Sequence, residues 1–223
     1  TFGQIPFNEL DSAILAMFAY IDFGDLEISQ PQKSITLREA SNRFFAAESR
    51  YDATDNFLLI MQHCLYMFEQ AAKTNRFGSI ELHDYINSVD TKTQTQFGAI
   101  TFSLDKNNHY VAFRGTDNTI VGWKEDLNLA VQQEVPAQKR ATSYLSDIAS
   151  KYSGKLIVGG HSKGGNLALY SVFKAEKSIK DRIESVWNFD GPGFLNNNLI
   201  ISTLDSLGSK VHTFVPETSV VGM

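Results

Sequence analysis

Leu156-Ile157-Val158-Gly159-Gly160-His161-Ser162-Lys163-Gly164-Gly165-Asn166-Leu167-Ala168 is the stretch on which the fold turns. It begins as an apolar, partly β-branched run of strand character and ends as a helix-compatible run, with Gly160-x-Ser162-x-Gly164 between them. A serine on so sharp a strand-to-helix turn takes strained backbone angles. The chain crosses itself closely two residues before and two after, so both of those positions need glycine. The serine is lifted above the sheet and sits at a helix N-terminus, whose free N–H groups and dipole favour a developing negative charge. With Gly and Ser each at about 7% of average usage, chance supplies such a match in a chain of this length with odds of about 0.07, and the flanking strand and helix lower them further. A plain Gly-rich turn is the alternative. A phosphate loop is excluded by order, because Lys163 precedes Gly164.

Outward from this turn, short apolar runs alternate with amphipathic stretches. Strand candidates are Phe97–Leu104, His109–Phe113, Lys155–Gly159, Ser185–Phe189 and Val211–Val215. Asp105-Lys106-Asn107-Asn108 supplies turn chemistry between the first two, which read as a hairpin. Helical stretches at 121–131, 138–152, 164–177 and 197–207 separate the later strands. That alternation builds βαβ units and a mostly parallel sheet with helices on its faces. Ahead of residue 95 the patterns are helical. Asn8 can cap a helix to about Tyr20, with Leu10, Ile14, Met17 and Phe18 as its apolar stripe, and further helices are expected over 36–48, 55–72 and 79–88. Leu58, Leu59, Met61, Leu65, Met67 and Phe68, then Ile80, Leu82 and Ile86, read as core packing. The expectation is an α/β fold forming a single domain over 1–223, with a helical part at 1–94 ahead of a sheet core at 95–223.

Composition narrows the function. The chain has 223 residues, 43% of them hydrophobic, with 16 Phe and a single cysteine, Cys64. A chain of that size buries about 70–75% of its unfolded surface, so a core forms without staples, and one cysteine excludes a disulfide framework. Lys+Arg 20 against Asp+Glu 25 gives a net charge of -5 and no basic footprint for nucleic acid. The longest apolar run, Ala13–Ile21, falls far short of the about 20 residues that span a bilayer. With no signal pattern and no Asn-x-Ser/Thr sequon, the chain reads as cytoplasmic. Cys64 beside His63 is no ligand cluster, so neither metal nor cofactor is expected.

A second block supports the serine. Tyr110-Val111-Ala112-Phe113-Arg114-Gly115-Thr116-Asp117 ends a strand, and Trp123-Lys124-Glu125-Asp126 follows. Acyl transfer through a serine needs two donors for the oxyanion, one from the residue after the nucleophile and one from an earlier strand-end loop. The Lys163 N–H would be the first and Thr116 the second. Phe-Arg-Gly-Thr, the Trp-x-x-Asp after it and Gly-His-Ser-x-Gly-Gly together resemble the class 3 (fungal-type) lipases of the α/β-hydrolase superfamily. The resemblance is closest to a bacterial group of lipase-like proteins of unknown function. That group implies Gly122-Trp123-Lys124-Glu125-Asp126, Asn188-Phe189-Asp190-Gly191-Pro192-Gly193-Phe194 and Pro216-Glu217-x-Ser219-x-Val221-Gly222-Met223, and all three stand here. It covers 95–223 strongly and the helical first part more weakly. By this resemblance the sheet is of α/β-hydrolase type and Ser162 is the nucleophile, its turn shaped by Gly160 and Gly164. Thr116 then donates to the oxyanion through backbone and hydroxyl, and Asp126 orients that hydroxyl. Asp126 on a solvated helix face is the other reading.

A serine is inert without a base, and the base needs an acid to fix its tautomer. The superfamily's chain order is Ser, then Asp or Glu, then His. Asp190 stands at the end of the strand after the serine, on the sheet side where open α/β folds carry their ligand sites; an Asx-type cap of the turn before Pro192 is its equal alternative. Glu217 is the rival acid, following the strand where class 3 lipases place theirs, although the family residue is normally Asp. Histidine is the gap. Only His212 follows the serine, and it precedes Glu217. His161 adjoins the nucleophile, but the turn points neighbouring side chains apart, which suits it to packing and hydrogen bonding beneath the elbow. His63, His83 and His109 precede the elbow without a motif. The order of the triad puts the histidine beyond Met223, and both ends of the chain read as cuts through a longer protein. The expected function is a serine hydrolase cleaving a small-molecule or lipid carboxylic ester through an acyl-enzyme at Ser162. Thioester or amide substrates share the same intermediate, and a catalytically inactive binding or scaffold protein on this fold is the alternative from another class.

Overall fold

The computed structural model describes residues 1–30, 33–46, 57–116, 120–195 and 207–219, with the side chains of 57–60 and 130 outside the description. The first half runs α1 (Glu9–Phe18), β1 (Ser34–Thr36), α2 (Leu37–Ala46), α3 (Phe57–Lys73), β2 (Glu81–Asp90), β3 (Thr95–Ser103) and β4 (Asn108–Phe113). The second runs α4 (Ile120–Val131), α5 (Pro136–Lys151), β5 (Lys155–His161), α6 (Lys163–Lys174), the short α7 (Lys177–Lys180), β6 (Ile183–Phe189) and β7 (Val211–Phe214). The strands form one sheet in chain order. The pairs from β1 to β4 are antiparallel and those from β4 to β7 parallel, so β2 and β4–β7 all point one way. This is the expected α/β architecture with a mostly parallel sheet.

The central strands are largely apolar and buried because both faces of the sheet are covered. Tyr110 and Ala112 of β4 and Ile157 of β5 face one core, shared with Leu15 and Phe18 of α1, Phe44 of α2 and Phe68 of α3. Val111, Phe113, Leu156 and Val158 face the other, shared with Leu145 and Ile148 of α5 and Leu167 and Val172 of α6. The alternation along each strand is the period of two that the pleat imposes. Met61, Leu65, Met67 and Phe68 all pack in the first core, as their spacing implies, while Leu58 and Leu59 lie outside the described side chains.

Two expectations for the N-terminal part need correction. Residues 79–88 form no helix; they enter strand β2. A register shift between His83 and Ile86, with Asp84 at φ 53, marks a bulge. The extra residue of a bulge breaks strict alternation, so Leu82 and Tyr85 are both buried, three apart, in imitation of helical spacing. With β1, this puts two strands ahead of residue 95. The second correction concerns α1, which Asn8 does cap, accepting from Leu10 N (3.0 Å) and Asp11 N (3.3 Å). Its inward face is Asp11, Leu15 and Phe18, whereas Leu10 is 69% exposed. Asp11 can face inward because Arg76 Nε bonds its carboxylate at 2.6 Å, and a buried charge so paired is tolerated. The helix expected over 197–207 lies outside the described residues, apart from Leu207. Among the described residues, no helix is long and apolar enough to cross a membrane.

Candidate active site

Strand β5 ends at His161 and α6 begins at Lys163, leaving a single residue for the turn. That residue is Ser162, at φ 54 and ψ -133, a conformation that costs a non-glycine residue about 1–3 kcal/mol. Its N–H is tied to Phe189 O of β6 at 2.8 Å, and its own carbonyl accepts Gly165 N at 2.8 Å. The hydroxyl does not cap the helix and has no hydrogen-bond partner among the described residues. The glycines do what the motif demands. A Cβ on Gly160 would lie 2.3 Å from the Gly164 backbone, and one on Gly164 would lie 2.1 Å from Phe113 O at the end of β4.

The proposed oxyanion donors flank this turn. Lys163 opens α6, and as the first residue of the helix its N–H has no intrahelical carbonyl to bond. Thr116 follows β4, and its Oγ1 donates to the Asp126 carboxylate of α4, 2.6 Å from each oxygen. Asp126 is thus half-buried and engaged with Thr116. Helix α4 also leaves Ile120, Trp123, Leu127 and Val131 exposed, at 75%, 64%, 70% and 74%. Their spacing puts an apolar stripe on the helix that carries Asp126.

Of the two candidate acids, Asp190 is the one beside the elbow. It follows Phe189, whose carbonyl holds Ser162, and φ 56 turns it out of β6. Its N–H bonds Phe214 O at 2.8 Å, and its Oδ1 accepts the Ser219 hydroxyl. Asp190 also acts on His161, opposing the lowering of that imidazole's pKa that burial imposes. Glu217 lies exposed in the turn after β7, without a hydrogen-bond partner among the described residues.

No described histidine reaches Ser162. His161 Nδ1 accepts from, or donates to, Tyr20 Oη at 2.9 Å, beneath the turn as expected. His212 pairs with Trp187, which is level with Gly159; that leaves it two strands, about 10 Å, from β5. Its ring stacks on Trp187 at 4.1 Å. His83 and His109 form a separate cluster. Ser103 Oγ lies 2.6 Å from His83 Nε2 and 2.9 Å from His109 Nδ1, and His83 Nδ1 lies 2.8 Å from Asp84 Oδ2. This imitates a catalytic triad, but Ser103 is level with Leu156 through His109. Six residues of strand, about 20 Å, separate it from Ser162. No strand-to-helix turn or helix N-terminus serves Ser103, and two imidazoles share its hydroxyl.

Sequence reasoning missed the polar scaffold behind the elbow. Asn166 Nδ2 donates to Pro192 O at 2.9 Å, and Gln138 Nε2 donates to Asn166 Oδ1 at 2.8 Å, so α5 and α6 both hold the loop after Asp190. Asn166 is part of the quoted motif and could have drawn attention; Gln138 has no local signal. The Lys163 side chain, expected to matter only through its backbone, is buried against Glu125.

The family model described as Mbeg1-like matches residues 71–223. No curated protein sequence matches the chain. Among solved structures, M37 lipase aligns with 72% of this chain and 61% of its own, at 19% identity and a TM-score of 0.48. A fungal lipase in an inhibitor complex, described as a model for interfacial activation, aligns with 89% of this chain and 72% of its own, at 14% identity and a TM-score of 0.46. The Rhizomucor miehei lipase–propeptide complex aligns with 82% of this chain and 58% of its own, at 17% identity and a TM-score of 0.43. The chain thus spans less than two thirds of the length of the first and the third.

Proposed function

The chain belongs to the Mbeg1-like family, and from that premise we propose that it is a serine hydrolase of the lipase and esterase kind, with Ser162 as its nucleophile. The observation that carries the reading is the strained serine itself. A non-glycine residue held at φ 54, crossed by two glycines and presenting at a helix N-terminus a hydroxyl without a partner among the described residues, is a costly arrangement with an evident use.

In the proposed reaction Ser162 Oγ attacks the ester carbonyl while its proton passes to a histidine. The Lys163 and Thr116 backbone N–H groups hold the oxyanion, and Asp126, by accepting the Thr116 hydroxyl proton, fixes the Thr116 side chain. The alcohol leaves with the proton, and water then attacks the acyl-enzyme to release the acid. Asp190 is the proposed orienting acid, supported by its place beside Ser162, and Glu217 is the weaker candidate because it is exposed. The histidine of this step is not assigned to any of the five in the chain. The apolar stripe on α4 favours an ester with an apolar acyl group, since a surface of that kind marks contact with something apolar.

The test is an activity-based one. A fluorophosphonate probe applied to the full-length protein should label wild type and spare Ser162→Ala. Failure to label wild type under any condition would favour the inactive scaffold.

A further inference from the structure

Lys163 and Glu125 form an ion pair buried more deeply than any other described. The lysine side chain is 1% exposed and the glutamate 0%, with Nζ 2.9 Å from Oε2. Every hydrogen of the ammonium is used, because Nζ also donates to Gln96 Oε1 at 2.6 Å and Gln96 O at 3.0 Å. The carboxylate is equally engaged. Its Oε2 accepts Gln96 N at 3.1 Å, and its Oε1 accepts Ala137 N at 3.1 Å, in the first turn of α5. One glutamate therefore joins β3, α4, α5 and the first residue of α6.

Stability alone does not explain such a pair, because desolvating two charges costs about as much as their attraction returns, and an apolar pair of similar volume commonly serves as well. Its position does. Glu125 is the neighbour of Asp126, which holds the Thr116 hydroxyl, and Lys163 is the neighbour of Ser162. Both donors assigned to the oxyanion thus hang from residues at or beside the pair. We propose that Glu125 is a positioning residue which, by clamping the Lys163 ammonium, fixes the spacing between the Lys163 N–H and Thr116. This rests on the hydrolase reading of Ser162. Glu125 touches no substrate; it sets where two donors stand, and a misplacement of about 1 Å in such a group is worth about 100-fold in rate.

The experiment uses Glu125→Gln and the double variant Glu125→Met with Lys163→Met in the full-length protein. Fluorophosphonate labelling rates, melting temperatures, and kcat and KM on p-nitrophenyl butyrate are measured. Glu125→Gln should lower kcat and the labelling rate about 10- to 100-fold with KM changed less than about threefold, the pattern of a lost transition-state interaction. The double variant should melt close to wild type and stay slow. Wild-type kcat in Glu125→Gln, or in the double variant, would overturn the proposal and leave the pair a packing element. A wild-type protein unreactive at Ser162 would instead bring down the hydrolase reading, and this inference with it.

Discussion

Gly164→Ala puts the elbow's steric logic to a quantitative test. A Cβ at this position would stand 2.1 Å from Phe113 O, 2.9 Å from Phe113 C and 3.0 Å from Arg114 C, all of them backbone atoms. Ordinary contact begins at 3.4 Å, so α6 and the end of β4 must separate by about 1.3 Å. No side chain can swing away to absorb that displacement. Overpacking of this kind costs about 1–3 kcal/mol, and the absence of a flexible neighbour argues for the upper end. At about 2–4 °C per kcal/mol for a chain of this size, the melting temperature should fall roughly 6–12 °C. The same displacement parts Thr116, which follows Phe113 and Arg114, from the start of α6. Misplacement of about 1 Å costs about 100-fold in rate, so fluorophosphonate labelling of the folded variant should slow by about that factor. Gly193→Ala is the matched control, since a Cβ there meets nothing within 4 Å, and its effect should stay within about 0.5 kcal/mol. Melting by circular dichroism and labelling kinetics decide the matter together. A Gly164→Ala protein that melts and labels like wild type would refute the crossing argument.

Other substitutions probe separate parts of the account. Ser162→Gly should relieve the strain at φ 54 and raise stability by about 1 kcal/mol, after the entropy cost of glycine is subtracted, while abolishing labelling; a destabilised variant would show that the serine is not strained. Asp190→Asn should reduce kcat by roughly 10³- to 10⁴-fold, as loss of the orienting carboxylate does in triads, and Glu217→Gln should change it less than about threefold. The reverse ranking would move the acid to Glu217. Burial holds the His161 pKa below its ordinary value of 6.5, and the Tyr20 hydroxyl can donate to Nδ1 only while that nitrogen is bare. The unfolded chain therefore takes up a proton near pH 6.5 that the folded protein resists. Stability is full above that pH and falls as pH drops toward the lower folded value. His161→Gln should flatten this acid limb below about pH 6.5, and an unchanged slope would exclude His161 as its source.

What could be read in the sequence was what is local. The elbow is local by nature, since its glycines, serine and flanking apolar residues lie within a dozen positions, and the structure places them as the steric argument requires. Strands β3 to β6 were legible because burial on both faces gives each a short apolar run. Strand β2 was not, because the bulge at Asp84 shifts its inward residues to a spacing of three. The inward face of α1 was misjudged for a through-space reason, since Asp11 is neutralised by Arg76, 65 residues away. The Lys163–Glu125 pair spans 38 residues and the Gln138–Asn166 bond 28. Charges read one at a time look like surface; only the fold reveals which pairs shed their water together. The candidate acids show the same limit, for both Asp190 and Glu217 follow strands, and it is the through-space bond from Ser162 to Phe189, with the exposure of Glu217, that makes Asp190 the proposed acid.

The central claim is that Ser162 is a nucleophile. Mass spectrometry of the full-length protein after fluorophosphonate treatment tests it most directly. The account predicts one phosphonyl adduct on the peptide carrying Ser162, unchanged in Ser103→Ala and absent in Ser162→Ala. An adduct on Ser103, or an unmodified Ser162 in folded wild-type protein, would contradict it.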